Sequence, residues 1–125
     1  MTRLILLTLL MPLLSMRGLA APSLTGTWTF EWKPDLSGHE HAEDCRLTQE
    51  GHRLSIDCER ANGTVIVGEV NGRKVTFQHK TGKDNELTVA YRVTLDRQST
   101  TMTGTWHLSP ENREGQFAAR RRQGK

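Results

Sequence analysis

The chain has 125 residues, with 17 lysines and arginines against 14 acids, a formal net charge of +3 and 35% apolar residues. That length accommodates one ordinary domain and argues against two. The apolar content is low but above that of a disordered chain. A positive surplus taken alone points to nucleic acid or an anionic surface, yet the charge and the apolar residues are both unevenly placed.

Arg3 precedes an almost unbroken apolar run, Leu4–Leu14, and small residues Gly18, Ala20 and Ala21 lead to Pro22. This is the pattern of a secretory signal peptide, too short to span a membrane. It predicts cleavage after Ala20, a leader over 1–20, and an exported, secreted or periplasmic domain over 21–125 with no membrane span. Arg3 and Arg17 leave with the leader, so the remainder carries 15 positive against 14 negative groups. The basic surplus is then mostly leader. Arg120-Arg121-Arg122 and Lys125 form a short tail with no aromatic platform beside it, and no nucleic-acid partner is expected.

Beyond the leader no stretch keeps a helical period for three turns, whereas alternation with a period of two recurs. Leu24–Lys33 reads as the first strand, with Trp28, Phe30 and Trp32 on one face. The polar stretch Pro34–Glu43 reads as a loop at one mouth. Asp44–Gln49 and Arg53–Glu59 then flank a tight turn at Gly51-His52, where glycine at the first central position suits a type II′ hairpin. Pairing about that turn sets Leu47 opposite Ile56, Arg46 opposite Asp57 and Cys45 opposite Cys58. Two cysteines in an exported chain of this size point to one disulfide, and this register supplies it. Thr64–Val70 and Arg73–Lys80 are joined by Asn71-Gly72, which predicts Ile66 opposite Phe77 and Glu69 opposite Lys74. Glu86–Asp96 and Thr101–Ser109 pair with Leu95 opposite Met102, Val93 opposite Gly104 and Tyr91 opposite Trp106. Gln116–Arg122 closes the series, with Phe117, Ala119 and Arg121 on one face.

Eight strands, each with one apolar and one polar face and mostly linked as neighbouring hairpins, predict an all-β fold. An open antiparallel sheet of this kind leaves two edges and half its apolar surface wet, and closure into an up-and-down barrel removes both problems. A two-sheet β-sandwich is the alternative. The pentapeptides Leu24-Thr-Gly-Thr-Trp28 and Met102-Thr-Gly-Thr-Trp106 match closely, although five residues do not establish a repeat.

Gly26-Thr27-Trp28 at the start of the first strand resembles the Gly-x-Trp signature of the calycin superfamily, which includes lipocalins and avidins. The resemblance implies an eight-stranded barrel in which Trp28 closes one end and a basic residue of the last strand, here Arg121, lies over its ring. The short exported chain, the Leu-Thr-Gly-Thr-Trp start and the cysteine pair are also similar to the periplasmic inhibitors of secreted metalloproteases. That family enters the protease cleft with an N-terminal arm, whereas only Ala21-Pro22-Ser23 precede the first strand here. The biotin-binding set of avidins cannot be laid onto these strands.

No catalytic signature is present: there is no Gly-x-Ser-x-Gly elbow, no His-Glu-x-x-His and no phosphate-cradling glycine loop. No enzyme activity and no cofactor are expected. His39-Glu40-His41, followed by Glu43 and Asp44, is the densest group of metal-ligand types, and the plainer reading is a solvated loop. Asn62-Gly63-Thr64 matches a glycosylation sequon. Trp32, Phe77, Tyr91 and Trp106 share the inward face and form either a ligand pocket or simply the core. The expectation is a monomeric, exported barrel that binds a small apolar molecule or a protein surface. The alternative is an inhibitor of a hydrolase such as a protease.

Overall fold

The computed structural model describes residues 23–61 and 64–123. The expected leader over 1–20, and Asn62-Gly63 of the sequon, lie outside the described residues. Eight strands follow one another: β1 Gly26–Lys33, β2 His41–Glu50, β3 Arg53–Cys58, β4 Val65–Asn71, β5 Lys74–Thr81, β6 Leu87–Leu95, β7 Thr101–Ser109 and β8 Arg113–Arg121. A single 3₁₀ turn, Glu59–Ala61, follows β3. Every strand is antiparallel to both neighbours, and β1 pairs with β8 from Trp28↔Arg121 to Lys33↔Gln116. The sheet is therefore a closed barrel, not a sandwich, and closure leaves no strand at an outer edge. Among the described residues no helix is long and apolar enough to cross a membrane.

The hairpin of β2 and β3 has the expected register, Cys45↔Cys58, Arg46↔Asp57 and Leu47↔Ile56, and the two cysteines are bonded. Gly51 takes the turn with φ +63, a conformation that costs glycine little and other residues more. The bridge closes a short loop, with 13 residues of sequence separation. Cys45→Ala/Cys58→Ala is expected to lower unfolding free energy by about 3 kcal/mol, read as a drop in urea midpoint without a change in slope.

Three expectations are corrected. β2 begins at His41, so His41–Glu43 belong to the barrel wall and not to the mouth loop. Trp32 at the far end of β1 needs a ladder partner, and His41 provides it, its ring 5.2 Å from that of Trp32. β8 likewise begins at Arg113, three residues early, because β7 runs to Ser109 and the ladder continues to Leu108↔Arg113. Third, β4 and β5 pair as Gly68↔Phe77 and Asn71↔Lys74, so the turn is Gly72-Arg73. Neither Ile66 with Phe77 nor Glu69 with Lys74 is a pair. Gly72 at φ +66 holds the same place in this turn as Gly51 in the first. The slip of two residues keeps every side chain on its expected face.

The shifted register has a packing reason. Phe77 lies opposite Gly68, Phe117 opposite Gly104 and Trp106 opposite Gly115. A Cβ on Gly68 would stand 2.7 Å from that of Phe77, and one on Gly115 would stand 2.6 Å from the Trp106 ring. Large rings thus fill the interior of a narrow barrel because the strand beside each carries no side chain there. The rings meet mostly edge to face, Phe117 lying 5.0 Å from Phe30 and 5.1 Å from Tyr91, the geometry aromatic quadrupoles favour.

The two ends differ. At one, Trp28 is fully buried, its indole N–H donates to Leu24 O, and the Arg121 guanidinium lies 4.8 Å from the ring centre. This end also carries the turns at Gly51 and Gly72 and the loop between β6 and β7. At the other end, the loop between β1 and β2 is tied down by Trp106 Nε1 donating to Pro34 O and by Arg113 Nη2 donating to Leu36 O. Within that loop the Asp35 carboxylate accepts from Ser37 and from the His39 N–H.

Candidate functional site

Inside that second end the barrel is not filled. A cavity of about 510 Å³ opens at the mouth, within the range of small-ligand sites. Its wall is built from inward positions at the mouth ends of the strands: Trp32 of β1, His41 and Glu43 of β2, Ile66 of β4, His79 of β5 and Tyr91 of β6. Leu36 covers one side and the Cys58 half of the disulfide another.

The four expected aromatic residues divide between cavity and core. Trp32 and Tyr91 line the cavity, whereas Phe77 and Trp106 do not. Phe77 stacks on the Tyr91 ring at 4.4 Å, and Trp106 is 1% exposed with its N–H taken by Pro34 O. Pocket and core are therefore both present, stacked along the barrel axis.

The polar tips that face the cavity are paired among themselves. Trp32 Nε1 donates to the Tyr91 hydroxyl at 2.8 Å, and that hydroxyl lies 3.2 Å from His79 Nε2. His79 Nδ1 lies 3.3 Å from Lys80 O. A carbonyl only accepts, so Nδ1 carries the proton, Nε2 is free to accept, and the Tyr91 hydroxyl donates to it. One direction of donation thus satisfies Trp32, Tyr91 and His79. Glu43, whose side chain is 8% exposed, accepts from Arg60 N–H at 3.1 Å and pairs with His41 Nε2 at 2.8 Å.

Burial sets the protonation of this relay. It pushes the Tyr91 phenol up to about 12, so Tyr91 remains a donor, and it holds His79 below the ordinary histidine value. The unfolded chain takes up the His79 proton near 6.5, before the folded protein does. Stability is then fully present above about pH 6.5 and falls as pH drops towards the lower folded value. In urea titrations at a series of pH values, His79→Gln is expected to flatten this acid limb. Its amide oxygen can still accept from Tyr91 without titrating.

His39 and His41 do not converge. His39 is exposed with Nδ1 3.1 Å from the Ser37 hydroxyl, while His41 turns inward to Glu43. Among the described residues, one group brings three ligand-type atoms together, Glu43 with Cys45 and Cys58, and its two sulfurs are bonded to each other. Arg120 and Arg122 of the basic tail lie on the outer face and pair with Glu31 and Asp44.

Glu43 and His41 were legible as metal-ligand types but not as cavity wall, because the stretch to Glu43 reads as loop. Counting back by twos from Leu47 and Cys45 would have turned both inward. His79 was missed as a site residue, although its parity with Val75 and Phe77 would have turned it inward. No protein-family model matches the chain, and no curated protein matches it.

Proposed function

We propose that the protein is an exported binding module of calycin type whose ligand site is the open mouth of the barrel. The carrying observation is the cavity of about 510 Å³ beside the faces of Trp32 and Tyr91. The tips of Trp32, Tyr91 and His79 already have partners, so the wall asks little hydrogen bonding of a ligand. It offers ring faces, Ile66, Leu36 and the disulfide, a surface suited to an apolar or planar group of moderate size. The calycin reading is supported by the closed eight-stranded antiparallel barrel and by Arg121 over Trp28 behind Gly26. Export is supported by the buried disulfide. A protease inhibitor acting through an N-terminal arm draws less support, since Arg121 holds the carbonyls of Ser23 and Thr25 at the end away from the cavity.

The test is titration of the full chain with anilinonaphthalene sulfonate, a dye with a planar apolar body, followed by dye emission. Saturable binding to one site is expected, weakened about tenfold by Trp32→Leu through the loss of one stacking face. Ile66→Phe, which fills the cavity, is expected to block it. Dye binding unchanged in both variants, or no saturable binding, overturns the reading.

A further inference from the structure

The mouth cavity has one carboxylate in its wall that is withdrawn from water. The Glu43 side chain is 8% exposed, whereas the two cations beside the cavity, Arg60 and Lys80, are exposed residues. Lys80 lies on the outward face of β5, where its Nζ donates to Thr88 Oγ1. Asp35, the other acid of the mouth, accepts from Ser37 and from the His39 N–H of its own loop. Among the described residues no lysine or arginine side chain forms an ion pair with Glu43.

The carboxylate is only partly used. Oε2 accepts from the Arg60 main-chain N–H at 3.1 Å, and Oε1 accepts from His41 Nε2 at 2.8 Å. A carboxylate has about four acceptor positions, so about two remain. The donors around it are committed: Trp32 Nε1 to the Tyr91 hydroxyl, that hydroxyl to His79, and His79 Nδ1 to Lys80 O. The hydrogen-bonding capacity left on the inner wall is therefore accepting and negative.

The rings beside Glu43 have the same preference, since the face of an aromatic ring is the negative part of its quadrupole. His41, which bonds Glu43, has its ring 5.2 Å from that of Trp32, so carboxylate and indole are close neighbours. Burial is the main cause of the raised Tyr91 phenol, and the Glu43 charge adds to it. The field of the carboxylate thus reaches the second ring of the wall.

We propose that the mouth takes an aromatic amine, its planar body against Trp32 and Tyr91 and its ammonium group donating to Glu43. This rests on the reading of the mouth as the ligand site, and it names the charge that the ligand carries. An ammonium group supplies both the donors and the positive charge that the wall lacks. An alcohol supplies one donor and no charge, and a carboxylate supplies neither. The ring faces add a cation–π attraction that only the amine can use. Glu43 is already out of water in the free protein, so the desolvation that opposes binding is mainly the ligand's own.

The probes are naphthylmethylamine, naphthylmethanol and naphthoate, which share one planar body and differ in charge. Each is titrated against the full chain at about pH 7, where the amine is protonated, and followed by displacement of anilinonaphthalene sulfonate. The dye tests the planar body, and these probes test the charge beside it. The amine is expected to bind about tenfold more tightly than the alcohol, the effect of one charge-assisted hydrogen bond. Naphthoate is expected to bind most weakly. This ranking needs no protein variant. Glu43→Gln, which keeps the shape and an acceptor, is expected to bring the amine down to the affinity of the alcohol. Equal affinity of amine and alcohol, or tightest binding of naphthoate, overturns this proposal alone. So does an amine preference that survives in Glu43→Gln, or failure of all three probes while the dye binds. Failure of dye and probes together overturns the mouth reading and this proposal with it.

Discussion

Arg121→Ala is expected to lower unfolding free energy by about 2–4 kcal/mol, and Arg121→Lys to recover less than half of that. The guanidinium donates to Ser99 O from both Nε and Nη2, to Thr25 O from Nη1 and to Ser23 O from Nη2, at distances from 2.9 to 3.2 Å. It also lies over the Trp28 ring. Hydrogen bonds from a charged donor and a cation–π contact each contribute on the order of 1–2 kcal/mol when partly screened from water. One side chain thus ties the segment before β1 and the loop between β6 and β7 to the end of β8. Lysine can keep the charge over the indole but cannot reach three carbonyls with a planar fork. The measurement is chemical denaturation of both variants, with Trp28→Leu added to complete a double-mutant cycle. A coupling energy near zero between positions 28 and 121 would show that the ring contact contributes nothing beyond the hydrogen bonds. The dye site at the opposite mouth is expected to be unaffected.

Gly104→Ala is expected to be at least as damaging, about 3 kcal/mol or more. A Cβ at position 104 would stand 1.9 Å from Arg92 O and 2.7 Å from Val93 Cα. Both are main-chain atoms of β6, so no rotamer change relieves the contact and β6 and β7 must part. The barrel is closed, so parting one pair of strands strains the other ladders. The informative companion is Gly26→Ala. Gly26 has φ +142, and a Cβ there would meet Arg121 Nη1 at 3.4 Å, an ordinary contact, so its cost is backbone strain of about 1–3 kcal/mol. Thermal and urea denaturation of the two variants should therefore separate a steric requirement from a conformational one. If Gly104→Ala leaves the midpoint unchanged, the close approach of β6 and β7 is not as described.

These two glycines sit in the matching pentapeptides Leu24–Trp28 and Met102–Trp106. Sequence comparison treats them alike, yet one begins the first strand and the other lies against a neighbouring strand's main chain. The difference is invisible in the motif because it depends on what stands across the sheet. The same limit explains the slipped hairpin of β4 and β5. Asn71-Gly72 is the stronger local turn signal, but burying Phe77 against the bare backbone of Gly68 overrides it.

Much of the rest was legible for one reason. Alternation of apolar residues with a period of two marks each strand and its inward face, and short turns then fix which residues oppose each other. Cys45 with Cys58, Leu95 with Met102 and Tyr91 with Trp106 all follow from that arithmetic. The local pattern loses force where buried positions are polar. His41 and Glu43 read as loop because hydrophobicity cannot distinguish a charged residue in water from one turned inward and paired. They became wall once Trp32 required a partner and Arg60 N–H supplied the carboxylate with a donor.

The basic surplus of the chain carries little meaning for its partners, because two arginines lie in the expected leader and three more are placed by the fold. Arg121 is spent on closing one end of the barrel, and Arg120 and Arg122 on acids of the first two strands. By itself the sequence determined strand number, inward faces, the disulfide and most of the register, since these follow from side-chain alternation and short turns. Barrel closure also follows from eight such strands, since an open sheet leaves its edges and half its apolar surface wet. Only the tertiary structure decided that the rings fill one part of the barrel and leave a cavity at its mouth, and that the β4–β5 ladder ends beside it. Those outcomes depend on volumes and main-chain distances between strands far apart in the chain, which local pattern does not encode.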